Sequence, residues 1–141
     1  MSTTFRTRRQ FAATPDAVFA AMADAGRIAR WWGPAGFSNR IAEFDFRPGG
    51  RWVFEMIGPD GTVYPNESEF TVIETGRRLV LRHVCQPHFQ LTITLQPVDG
   101  GTLLLWEQAF DDAAVAAALQ HIVEPANEQN LDRLAAELAT G

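Results

Sequence analysis

The apolar positions follow a helical period at the two ends of the chain and a strand period in the middle. Phe5 to Ala12 alternates partly between polar and apolar residues and reads as a first strand, closed by the break at Thr14-Pro15. Val18, Phe19, Met22 and Ala23 then form one helical stripe, with Thr14 placed to cap it and Pro15 at the first helical position. Gly26 suits the end of that helix, and a second short helix is predicted over Arg27 to Trp32, stopped by Gly33-Pro34.

From Asn39 onward the period is two. Turn residues recur at Pro48-Gly49-Gly50, Gly58-Pro59-Asp60-Gly61, Glu74-Thr75-Gly76, Gln86-Pro87 and Asp99-Gly100-Gly101. They punctuate about six strands, as in an antiparallel meander. Trp52, Phe54 and Met56 share a face against Arg51 and Glu55, and Phe70 and Val72 oppose Glu69 and Thr71. Phe89, Leu91, Ile93 and Leu95 likewise oppose Gln90, Thr92, Thr94 and Gln96, so the sheet has one apolar and one wet face.

Helical spacing returns over Asp111 to Thr140 through Val115, Leu119, Ile122, Val123, Leu131, Leu134 and Leu138. Pro125 lies inside this stretch and predicts a kink, or a short helix followed by a longer one starting near Glu124. No repeat, low-complexity segment or linker divides the chain, which predicts a single α+β domain over residues 1–141. The apolar sheet face must be covered, and the C-terminal helix and first helical pair are the elements long enough to do it. The pattern by itself favours a filled core; the alternative is a sheet curved enough to leave a space beneath one straight helix.

Composition narrows the partners. Hydrophobic residues make up 46% and charged residues 21%, a balance that supports a core and excludes a disordered chain. No run approaches the ~20 apolar residues of a membrane span. Arg6, Arg8 and Arg9 are followed by no continuous apolar stretch, so the N-terminus does not read as a secretory signal, and a cytoplasmic location is expected. The single cysteine, Cys85, agrees with a reducing compartment. A net charge of −5 repels phosphate backbones and anionic lipid, so neither nucleic acid nor a membrane is an expected partner. All 12 basic residues are arginine, which excludes Schiff-base chemistry and the lysine of a phosphate-cradling loop; no cofactor is expected.

Four blocks carry a family resemblance: Trp31-Trp32-Gly33-Pro34-Ala35-Gly36-Phe37, Arg47-Pro48-Gly49-Gly50-Arg51-Trp52, Gly58-Pro59-Asp60-Gly61 through Tyr64-Pro65-Asn66, and Leu131-Asp132-Arg133-Leu134. Together with Pro15, Val18 and Phe19 they resemble the bacterial homologues of the activator of heat-shock protein 90 ATPase, within the START-like, or SRPBCC, superfamily. The resemblance implies a helix-grip fold, a curved antiparallel sheet of six or seven strands around a long C-terminal helix with a hydrophobic cavity between them, and it shifts the expectation from filled core to cavity. Where the family usually has Gly-Trp, this chain has Ala126-Asn127, a change expected to enlarge the cavity or make it more polar.

Strand parity then names the expected ligand-binding residues. With Trp52, Phe54 and Met56 inward, neighbouring strands contribute Ser68 and Phe70, Leu81 and His83, Phe89 and Leu91, and Trp106 and Gln108, faced by Asn127 and Leu131 from the helix. Trp31, Trp32 and Phe37 form the densest aromatic cluster, in which one indole packs inside while the other closes the mouth or stays exposed. This set suits a small hydrophobic or aromatic molecule.

No catalytic residue is assigned. His83 is the candidate for proton transfer, helped by Gln108 or Asn127 in a polyketide cyclase or aromatase-like enzyme, and otherwise reads as an orienting hydrogen-bond partner. The family name also raises contact with a chaperone ATPase through the surface. His83, Cys85 and His88 invite a metal reading, which the turn at Pro87 and the lack of a fourth ligand oppose. Glu67 with Glu69 and Glu43 with Asp45 read as solvated pairs, no Gly-x-Ser-x-Gly elbow occurs, and the glycine pairs look like tight turns.

Overall fold

Seven strands and three helices make up the computed structural model, which describes residues 3–140. The elements run β1 (Thr4–Phe11), α1 (Pro15–Met22), α2 (Ala25–Trp31), β2 (Ser38–Phe44), β3 (Arg51–Ile57), β4 (Val63–Glu74), β5 (Arg78–His83), β6 (Phe89–Val98), β7 (Gly101–Phe110) and α3 (Ala113–Ala139). The sheet order is β1-β7-β6-β5-β4-β3-β2, antiparallel at every pairing. The helical pair between β1 and β2 therefore joins opposite edges of the sheet, and α3 returns along its apolar face. This is the α+β helix-grip architecture. No described helix is long and apolar enough to cross a membrane.

Local chemistry sets the first helices. Thr14 caps α1 by accepting from Ala17 N at 3.1 Å, with Pro15 in its first turn. Gly26 does not end α1; it lies inside α2, because Asp24 caps that helix by accepting from Arg27 N at 3.0 Å and starts it earlier than the apolar stripe suggests. In β4 the expected partnership of Phe70 and Val72 also fails. The register slips between them, leaving Thr71 as an extra residue, so Phe70 and Ile73 pack on the core while Val72 faces away.

Pro125 does not divide α3, which is one helix of 27 residues. Pro125 and His121 are both exposed, so water can satisfy the carbonyl that the proline leaves without a donor. The C-terminal half is held from several sides. Leu131 and Leu134 are fully buried, Glu137 pairs with Arg27 and Arg30 of α2, and Arg9 of β1 donates to Asp132 at 2.8 Å. The two guanidinium groups hold the Glu137 carboxyl down at about 2. Before Asn130, the only buried helix residue is Ala116.

The apolar face is filled unevenly. Val18, Phe19, Met22, Ile28 and Trp31 from α1 and α2 pack with Trp52, Phe70, Leu79 and Leu134 into the main cluster. A smaller cluster of Phe5, Phe110 and Ala116 lies under the start of α3, and Phe89 packs against both. The Arg47-Pro48-Gly49-Gly50 block belongs to this scaffold: Gly49 N donates to Phe70 O at 2.7 Å and Phe70 N to Gly50 O at 2.9 Å. A Cβ on Gly50 would meet Asp45 O at 1.9 Å, so only glycine fits there.

Candidate functional site

Between sheet and α3 lies a cavity of about 190 Å³. Phe54 and Met56 of β3, Leu81 of β5, and Phe89 and Leu91 of β6 supply its apolar wall. Ser68, His83, Trp106 and Gln108 bring polar atoms from the sheet, Asn127 from the helix, and Trp32 borders it from the turn after α2. These predicted residues are brought together because the face parity of β3, β5, β6 and β7 is unbroken and Ser68 precedes the β4 bulge.

Five residues expected in the lining lie elsewhere. Trp31, Trp52, Phe70 and Leu131 are fully buried in filled core and do not border the cavity. Trp31 Nε1 donates to Ala21 O at 2.9 Å, while Trp52 stacks on Phe54 at 4.1 Å. Phe37 is half-buried against Tyr64, with ring centroids 5.9 Å apart. The adjacent indoles of Trp31 and Trp32 thus separate as expected, one into the core and one onto the cavity.

Gly33, Pro34, Asn66 and Asn130 complete the lining and were not foreseen, and Ala126 borders it beside Asn127, where the departure from Gly-Trp was expected to alter the cavity. Asn66 was accessible to the same parity, being two residues before Ser68. Asn130 follows Asn127 at helical spacing and donates to Trp31 O at 2.8 Å. Gly33 and Pro34 enter the sequence reading as a helix stop and as part of a resemblance block, not as cavity wall. Gly33 has φ 96°, and a Cβ there would meet Met56 Cε at 2.7 Å.

The wall formed by Gly33 and Pro34 is held by Arg133. Its guanidinium donates to five carbonyl oxygens, those of Arg30, Trp32, Gly33, Pro34 and Phe37, at 2.8 to 3.1 Å. This explains why the Trp-Trp-Gly-Pro and Leu-Asp-Arg-Leu blocks occur in one chain: the second supplies the donors for the carbonyls of the first.

His83 is 5% exposed and stacks on Phe89 at 4.5 Å. Its Nδ1 lies 2.6 Å from Pro87 O, and Nε2 lies 2.8 Å from Asn66 Oδ1 and 3.4 Å from Cys85 Sγ. Two oxygen acceptors favour a proton on each nitrogen, but burial outweighs them and pushes the imidazole below its ordinary value. In the neutral ring Nδ1–H donates to Pro87 O, and Nε2, then an acceptor, faces Asn66 Oδ1 with the Cys85 thiol as the neighbouring donor. Cys85 does not line the cavity with His83: it borders a separate groove along Arg40, Glu55 and Glu67 on the outside of the molecule, and burial pushes its thiol up. Among the described residues no group of three or more His, Cys, Asp or Glu side chains is placed to hold a metal.

That outer groove, about 520 Å³, is larger than the cavity but open. Its charged side chains are already paired, Arg40 with Glu55 and Glu67 with Arg51. The inner cavity instead gathers several polar groups on an apolar wall, which is the arrangement of a small-molecule site.

Solved structures share this architecture. A protein of Chromobacterium violaceum is 27% identical, with 94% of this chain and 95% of that one covered and a TM-score of 0.84. One from Arthrobacter aurescens has a TM-score of 0.91 at 22% identity, over 99% and 88% of the two chains. The AHSA1 protein of Silicibacter pomeroyi has a TM-score of 0.76 at 24% identity, over 97% and 98%. No curated protein matches the chain. The family model described as Activator of Hsp90 ATPase homolog 1-like protein matches residues 12–139, and the chain belongs to that family.

Proposed function

We propose that this protein binds a small hydrophobic or aromatic molecule in the cavity between its sheet and α3, without transforming it. The supporting observation is the cavity itself: about 190 Å³ of space left in an otherwise filled apolar face, lined by aromatic and aliphatic side chains with a few polar groups. A cavity of about 150 Å³ accommodates benzene, whereas drug-sized ligands take about 300 Å³ or more. The ligand is therefore a single ring or a short chain; a flavonoid or a long fatty acid does not fit this space.

The non-catalytic reading follows from His83. A general acid or base needs a nitrogen within reach of the substrate, whereas Nδ1 is tied to Pro87 O and Nε2 is hemmed in by Asn66 Oδ1 and Cys85 Sγ. Native mass spectrometry together with a thermal-shift screen of single-ring compounds tests the proposal. Binding of one molecule per chain with a raised Tm is expected, and the absence of any binder among ring-sized compounds would remove it.

A further inference from the structure

Just beyond the end of β5, Cys85 is half-buried, borders the outer groove and brings its Sγ to 3.4 Å from His83 Nε2. The protons of His83 determine what this contact is. Pro87 O lies 2.6 Å from Nδ1, too close for two lone pairs to face each other, so the single proton of the neutral ring sits on Nδ1. Nε2 is then an acceptor. Its nearer neighbour, Asn66 Oδ1 at 2.8 Å, is an acceptor too, and the amide cannot be reversed, because Nδ2 donates to Tyr64 O at 2.9 Å and an oxygen there would meet an oxygen. An imidazole 5% exposed therefore carries a lone pair that, among the described residues, only the Cys85 S–H is placed to serve. The other contact of the thiol, with Glu67 O, is longer at 3.9 Å. Nucleophile, base and a third group that orients the base follow in order as Cys85 Sγ, the His83 ring and Pro87 O, the arrangement of an activated thiol.

Both partners rest neutral. Burial pushes the Cys85 thiol up and the His83 imidazole down, so the thiol proton crosses to Nε2 only as the sulfur attacks. The groove suits an uncharged reactant. Ile41, Ala42, Val53 and Pro65 give it an apolar wall, and its charged side chains are already paired, Arg40 with Glu55 and Glu67 with Arg51. An anion entering it would lose hydration without meeting a free cation.

We propose that Cys85 is a covalent capture site for neutral α,β-unsaturated carbonyl compounds, with His83 as its general base. The sulfur bonds to the β-carbon while the π pair of the C=C bond moves towards the carbonyl, His83 Nε2 takes the thiol proton, and that proton then passes to the α-carbon. The product is a thioether, formed by adding S–H across C=C with no leaving group and no external oxidant or reductant. This site lies outside the cavity, and the ligand-binding reading of the cavity stands or falls separately.

The test follows alkylation of the intact chain by N-ethylmaleimide, a neutral α,β-unsaturated carbonyl compound, by mass spectrometry as a function of pH. The chain has one cysteine and no lysine, so a single added mass reports Cys85, and Cys85→Ser sets the background. In the urea-unfolded chain the rate should rise about tenfold per pH unit below the ordinary thiol value near 8.5, because only the thiolate reacts. In the folded chain a rate nearly independent of pH between about 6.5 and 8 is expected, because the neutral pair is the reactive form throughout. His83→Gln should slow the reaction at pH 7 by about tenfold or more and restore the dependence on pH. N-maleoyl-β-alanine, which carries a carboxylate on the same reactive ring, should lose rate relative to N-ethylmaleimide on going from the unfolded to the folded chain. A folded-chain rate that climbs with pH as in urea, a His83→Gln variant with the unaltered rate and profile, or a folded Cys85 that does not react would overturn the proposal. A carboxylate reagent that keeps or gains relative rate in the folded chain would overturn its restriction to neutral compounds. If His83→Gln does not fold, the folded and unfolded pH profiles of the unaltered chain still decide the matter.

Discussion

Trp52 and Trp106 are 0% and 2% exposed, yet only one has empty space beside it. Sequence parity assigns both to the inward face but cannot say where along that face packing ends, because this depends on how far α1 and α2 fill the concavity. Trp52→Ala should therefore lose about 3 to 5 kcal/mol in urea unfolding, the cost of a large deletion from filled core. A loss well below that range would mean that the indole borders open volume.

His83 was legible as an inward polar residue, whereas the crowding of both its nitrogens was not, since Pro87 and Asn66 reach it through a loop and a neighbouring strand. Its depressed proton affinity has a signed consequence. The unfolded chain takes up a proton near 6.5 and the folded chain resists doing so, so stability should fall as pH drops below about 6.5. In a Tm series between pH 7.5 and about pH 5, His83→Gln should reduce this dependence. An identical slope in the variant would assign the dependence to other groups. A separate loss belongs to Glu137, whose stabilising contribution fades as pH falls from 4.5 towards about 2.

At the scale of elements, the helices and strands were legible wherever a period ran unbroken, and three departures have physical causes. Asp24 is a side-chain cap that an apolar stripe does not reveal, Thr71 adds one residue to a strand whose parity then reverses, and Pro125 is exposed where water can replace its missing donor. The most consequential tertiary tie, Arg133 to the turn after α2, links residues about 100 positions apart and leaves no local pattern. Arg133→Met removes the donors to five carbonyls and should cost roughly 2 to 4 kcal/mol in urea unfolding. Arg133→Lys should recover only part of this, because an ammonium has three donors and no planar fork. Full recovery by lysine would show that charge alone, and not the span of the guanidinium, holds the turn.

For the molecule as a whole, a sheet seven strands wide closes on one long helix anchored mainly through its second half, and the cavity lies where neither the first helical pair nor α3 fills the concavity. Periodicity predicted the sheet and its cover. It could not predict the size of the space left over, which is a small difference between two large volumes and decides which ligands can enter. The most direct measurement is a crystal structure of the chain grown with saturating acetophenone. The account predicts ring-shaped density inside the cavity, between Met56 and Leu91. Density confined to the outer groove beside Arg40 and Glu55, with none in the cavity, would contradict it.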